Sequence, residues 1–175
     1  MLIDRRLPNL PPGTERYLVR GGGAAVLAIA PGDRITVIDV EGRQPCELLA
    51  ADASGRVDPG LIGGKACGIA DGLRDILAGG AADVRKLVAG LRRRNLDLGQ
   101  GGAIRLFGGD SPAGARQEFV AGDSGVLVIG APGAAMAPES QDTATEIEIR
   151  IARASPGSEG VARLPDPLAD SILDF

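Results

Sequence analysis

The chain has 175 residues, a formal net charge of −4, and a hydrophobic fraction of 44% with no Trp, one Tyr and three Phe, which fits one domain with an aliphatic core. Its acidity and its scarcity of aromatic rings argue against a single-stranded nucleic-acid platform, which needs excess cations and stacking faces. The absence of histidine excludes Ser-His-Asp, Cys-His and His-metal mechanisms within the chain.

Residues 1–13 carry Pro8, Pro11 and Pro12 and read as an extended N-terminal segment. A short strand is expected over Glu15 to Arg20, broken by Gly21-Gly22-Gly23 before the apolar run Ala24 to Ala30. The triple glycine has neither the GK[ST] sequel of a phosphate loop nor the spacing of a dinucleotide fingerprint, so it is a turn. Pro31-Gly32-Asp33 is the next turn, with proline presetting φ and glycine supplying the positive φ of a type II turn. Arg34 to Val40 then alternates polar residues with Ile35 and Val37, as a half-buried strand does. Glu41-Gly42-Arg43 turns the chain again, and Gln44 to Ala51 returns as a second run. The simplest local structure for the two runs is a β-hairpin or a strand pair joined by a short glycine turn.

Two helices are expected next. In Gly68 to Ala78 the residues Ile69, Leu73, Ile76 and Leu77 make one apolar stripe, ended by Gly79-Gly80 in the usual C-terminal glycine fashion. In Ala82 to Arg94 the stripe is Val84, Leu87, Val88 and Leu91, with Asp83 and Arg92-Arg93-Arg94 complementing the helix dipole. Strands are expected again over Ala103 to Phe107, Arg116 to Val120, Val126 to Ile129 and Thr145 to Ala152. The continuous run Val126 to Ile129 suits a strand covered on both faces, whereas Ile147, Ile149 and Ile151 alternate with Glu146, Glu148 and Arg150 as a strand with one wet face does. Residues 155–175 read as a linker-like C-terminal segment.

These elements make residues 14–154 a single β-rich α+β domain: a barrel-like or sandwich antiparallel sheet with two helices inserted between the β halves. A doubly wound sheet is excluded because strands and helices are segregated along the chain. The chain has no apolar signal core and no run long enough to span a membrane. A cytoplasmic protein with Cys46 and Cys67 as reduced thiols is expected.

The sequence Pro31-Gly32-Asp33, the strand with Asp39, and Gly42-Arg43-Gln44 with Glu47 resemble the motif of the urea carboxylase-associated family of uncharacterised domains. Met136 to Ile147, which includes Pro138, Asp142 and the Thr145-Glu146 pair, resembles that family's last motif. Glu47 stands where the family has an aspartate. The family's central cysteines and histidines, suited to a metal, are replaced here by the helical region without histidine. The resemblance also implies fusion in front of an aminomethyltransferase like the glycine-cleavage T-protein, with tetrahydrofolate in the parent protein and no cofactor in this chain.

The reading that follows is a non-catalytic accessory domain that docks to a C-terminal catalytic domain or senses a small ligand. The ligand surface would be Arg43, Gln44, Glu47 and Asp142, a cation, an amide and two carboxylates, although a hydrogen-bond network fixing the hairpin is the better explanation of the first three. No residue is assigned to catalysis or to a metal. One alternative is an independent enzyme using carboxylates such as Asp39, Glu47 and Asp142 as acid and base or as ligands of a hard cation. Another is a homo-oligomerising interaction module with an exposed edge or apolar patch.

Overall fold

The computed structural model describes residues 10–79, 82–93, 95–96, 102–133 and 145–154. Every expected strand is present: β1 (Thr14–Val19), β2 (Ala24–Ile29), β3 (Arg34–Asp39), β4 (Cys46–Asp52), β5 (Ile104–Leu106), β6 (Ala115–Val120), β7 (Gly125–Gly130) and β8 (Ile147–Ala152). Helices α1 (Asp71–Ala78) and α2 (Ala82–Arg93) lie between β4 and β5, after a single 3-10 turn at Pro59–Ile62. Most of the N-terminal segment, Arg94 and the whole of 155–175 lie outside the described residues.

The strands form two antiparallel sheets, ordered β1-β8-β3-β6 and β2-β7-β4-β5. Partners are nested, β1 with β8, β2 with β7, β3 with β6 and β4 with β5, so the chain is one long hairpin wound into two layers with the helices at its bend. This is the jelly-roll solution to packing two sheets, a sandwich rather than a closed barrel. The expected hairpin of β3 with β4 is corrected by this topology: β3 pairs with β6 and β8 in one sheet, β4 with β5 and β7 in the other. The connection Val40 to Pro45 crosses between layers because both strands already have two neighbours.

Side-chain alternation builds two cores. Val37, Leu48, Leu127, Ile129, Ile147, Ile149 and Ile151 meet between the sheets. Val26, Leu49 and Val128 face the other way, against Leu73 of α1 and Val84, Leu87 and Leu91 of α2. The β2-β7-β4-β5 sheet is therefore buried on both faces, as the run Val126 to Ile129 implies. Each fully buried aliphatic side chain contributes about 1.5–3 kcal/mol.

Some local expectations change. Ile69 precedes α1 and is half exposed, at 50%, so it does not belong to the buried stripe. Gly79 ends α1 at φ −64°, not in the left-handed region. Gly32 does take φ +81°, and the Asp33 amide donates to the Ala30 carbonyl, which is the expected type II turn. Outward-facing Glu148 is only 5% exposed, because Arg16 and Arg150 close over its carboxylate at 2.7 and 2.5 Å; that strand's polar face is not wet there.

Candidate functional site

Asp39 ends β3 with no exposure and organises the crossing to β4. Its Oδ1 accepts from the Gly42 amide at 2.9 Å, and its Oδ2 accepts from the Gln44 amide at 3.1 Å and the Ser111 hydroxyl at 2.6 Å. The Ser111 Oγ in turn accepts from the Arg43 amide at 2.9 Å. Gly42 is required here: its φ is +88°, and a Cβ would sit 2.8 Å from the Ser111 carbonyl oxygen and from the Ala113 nitrogen. Its acceptors are turned onto backbone and hydroxyl donors, and Asp39 thereby holds the crossing in shape.

Arg43 occupies the outer corner of this turn. It is exposed and holds φ +63°, a conformation that costs a non-glycine residue roughly 1–2 kcal/mol. The strain is fixed by the Arg43 amide, which reaches both the hydroxyl and the carbonyl of Ser111.

Gln44 points inward and is 2% exposed. Its Nε2 donates to the carbonyls of Pro45 at 2.9 Å and Pro132 at 2.8 Å, and its Oε1 accepts from the Thr145 amide at 2.9 Å. Two carbonyls can only accept and an amide N–H can only donate, so the orientation of this side chain is fixed. Pro132 and Thr145 flank the connection from β7 to β8, and Gln44 ties the two flanks together. Asp142, in that connection, lies outside the described residues.

Glu47 sits on the helix side of β4, in register with Gly130 of β7 and Arg105 of β5. The missing side chain at Gly130 lets α1 approach: a Cβ there would be 2.7 Å from the Leu73 side chain. Ala70 gives α1 no side-chain cap, and Glu47 supplies it, with Oε2 accepting from the Leu73 amide at 2.8 Å. A carboxylate at that end also suits the helix dipole. Oε1 lies 3.4 Å from the Arg105 Nε, while the Arg105 guanidinium also donates to the Ile69 carbonyl at 2.6 Å and lies 3.5 Å from Asp71.

Three of the four expected residues therefore gather at one end of the molecule, with Arg43 outward and Gln44 and Glu47 buried. Gln44 and Glu47 are positioning residues there: one fixes the flanks of a connection, the other the start of a helix. Sequence reasoning missed Arg105 and Ser111. An arginine centred in the apolar run Ala103 to Phe107 was the signal for the first; the second carried none. Cys46 is buried in the inter-sheet core, where desolvation pushes its thiol pKa up, and Cys67 is exposed, both as free thiols. Among the described residues no three His, Cys, Asp or Glu side chains group as metal ligands, and no helix is long and apolar enough to cross a membrane.

No family model matches the chain. Over 174 residues, 99% of its length, the chain is 44% identical to trimethylamine-oxide aldolase of Ruegeria pomeroyi, and it spans 22% of that protein. Among solved structures, a DUF1989 family protein from Silicibacter pomeroyi superposes with a TM-score of 0.48 at 14% identity, covering 87% of this chain and 86% of that one. A designed double-stranded β-helix superposes with a TM-score of 0.30 at 13% identity, over 79% and 95% of the two chains. The curated relative is a catalytic protein named as an aldolase, which overturns both the expectation of a non-catalytic accessory domain and that of an aminomethyltransferase like the glycine-cleavage T-protein.

Proposed function

We propose that this chain is part of an aldolase that removes one carbon from trimethylamine N-oxide or a close methylated amine oxide. The observation that carries the reading is identity of 44% over 99% of the chain, which spans the whole two-sheet domain and both helices rather than one motif. Atom balance gives the reaction. Breaking one N–O, one C–N and one methyl C–H bond while forming C=O and N–H converts trimethylamine N-oxide to dimethylamine and formaldehyde, the methyl proton ending on nitrogen; the nitrogen is reduced as the carbon is oxidised, so no external oxidant is consumed.

Within this chain Arg43 is the residue proposed to meet substrate. It is an exposed cation held in a strained conformation by Asp39, Gly42 and Ser111, and strain of this kind clusters at sites of function. A guanidinium suits the negative oxygen of an N-oxide through a charge-assisted hydrogen bond. Gln44, whose backbone amide donates to Asp39, keeps that corner in place, while Glu47 fixes the start of α1.

A further domain, of the kind the relative's greater length provides, completes the enzyme in this reading. Tetrahydrofolate fits the same reading as an acceptor of formaldehyde, and no residue of this chain is assigned to hold it. The motif likeness to urea carboxylase-associated domains and a cytoplasmic location for the two free thiols belong to the same proposal. The test is turnover of trimethylamine N-oxide, trimethylamine and sarcosine by the protein carrying this chain, read as formaldehyde. Release from the N-oxide alone supports the assignment, and release from sarcosine alone, or from none of the three, refutes it.

A further inference from the structure

We propose that β6 is a self-association strand, through which two copies of this chain pair antiparallel about a two-fold axis at Gln117. Among the described residues, β6 in the sheet β1-β8-β3-β6 has β3 as its one neighbour, and Arg116, Gln117, Glu118 and Val120 are exposed, Val120 at 54%. The direction of its unused hydrogen bonds follows from the pairing. The Ala121 amide donates to the Asp33 carbonyl at 2.9 Å, so in this register the odd-numbered residues of β6 turn their backbone groups to β3. Arg116, Glu118 and Val120 turn theirs to the open edge. Consistent with that, the Glu118 carbonyl has the neighbouring Gln117 side chain against it at 3.4 Å.

An open edge of this kind is a template for another strand, and the charges choose which. A two-fold axis normal to the sheet keeps the apolar faces of both copies on one side, and it sets residues of equal parity opposite one another. Centring the axis on Arg116 or on Glu118 places like charges face to face. Centring it on Gln117 places Arg116 opposite the partner's Glu118, and Glu118 opposite the partner's Arg116, in the pairs whose backbone groups face outward. The segment Arg116-Gln117-Glu118 is thus complementary to a second copy of itself in one register, an isologous contact. Opposite charges across a ladder favour the pairing and like charges oppose it.

Glu118 and Val120 also line a cavity of about 480 Å³ beside the open edge, with Arg34, Thr36, Ile62 and Phe119. Pairing would bring the partner's Arg116 to its rim. A six-residue edge makes a small interface, below about 1,200 Å², so the equilibrium is expected to respond to dilution.

Sedimentation equilibrium on the full chain across a dilution series is the test. The expected result is a mass rising from 17.8 kDa toward that of a dimer. Arg116→Glu and Glu118→Arg should each raise the dimer dissociation constant by roughly tenfold to fiftyfold, since two attractive pairs become two repulsive ones. The double reversal R116E/E118R should restore it to within a few-fold. In a Cys67→Ser background, Gln117→Cys should oxidise to a covalent dimer, because residues on the axis face one another at about 4.5 Å between Cα atoms, whereas Thr14→Cys should not. A monomer at every concentration, an association indifferent to charge reversal, or failure of Gln117→Cys to cross-link would each overturn the proposal.

Discussion

The Nε2 of Gln44 donates to the carbonyl of Pro132, 88 residues away, at 2.8 Å. That bond joins the crossing between β3 and β4 to the end of β7. The same amide holds Thr145 at 2.9 Å through its other atom, so a single side chain fixes three segments that are distant in sequence. Replacing it with Ala would leave the part-buried carbonyls of Pro45 and Pro132 and the part-buried Thr145 amide without this partner, at about 2–3 kcal/mol in total. Gln44→Ala should lower Tm by roughly 5–10 °C, given about 2–4 °C per kcal/mol for a chain of this size. Gln44→Glu should do no better, since it turns a carboxylate onto two carbonyl oxygens. Thermal unfolding followed by circular dichroism checks both variants.

Glu47 makes two separable interactions, the cap on Leu73 and the pair with Arg105. Glu47→Gln keeps an acceptor for the Leu73 amide and loses only the charge pair. Because Arg105 is 47% exposed, that pair contributes less than about 1 kcal/mol. Glu47→Ala loses both and orphans the amide, for roughly 1–3 kcal/mol in total. Urea midpoints of the two variants should therefore differ, with Ala clearly the weaker.

Arg43→Gly separates function from fold. Glycine adopts φ +63° without strain, and the Arg43 backbone amide bonds to Ser111 survive. Relief of strain and the added entropy of the unfolded chain offset each other to within about 1 kcal/mol, so stability should barely change. If Arg43 meets the N-oxide, kcat/KM should fall by roughly 10- to 100-fold, as loss of a charge-assisted hydrogen bond predicts. Unchanged kinetics in this variant would remove Arg43 from the site.

Tyr17 offers a titration without interference, because it is the single Tyr and the chain has no Trp. Burial, then the hydrogen bond to Glu15 at 2.8 Å, push its pKa up to about 12. A raised value means the folded state favours the neutral phenol. Its contribution to stability is complete below the unfolded value near 10 and is lost as pH rises through about 12. Phenolate absorbance should rise with a midpoint near 12 in the folded chain, and unfolding by alkali should steepen between those values. A midpoint near 10 with the fold intact would show that Tyr17 is not shielded.

The strands were legible because aliphatic runs and glycine turns define them locally. β7 even announced its two buried faces through Val126 to Ile129. Sheet membership was not legible, since the alternation in β3 and β4 suits a hairpin as well as two separate layers, and only the nested partners β6 and β8 decide. Within the candidate site, Gln44 and Glu47 stand out in the sequence as polar residues beside apolar ones, but their partners do not. Asp39 gave no sign that it would close on Ser111, 72 residues later. Arg105 is opposite Glu47 only by virtue of the β4-β5 register, which no single strand encodes. Periodicity gave no warning that Glu148 would be enclosed, because its cover is two arginines, Arg16 from the neighbouring strand and Arg150 from its own.

The most direct test of the functional reading is carbon-13 NMR of the protein carrying this chain, supplied with methyl-labelled trimethylamine N-oxide. The account predicts that formaldehyde hydrate and dimethylamine appear in equal amounts as the N-oxide signal decays, with no added oxidant. Persistence of the N-oxide, or label appearing in any product without an equivalent of dimethylamine, would contradict it.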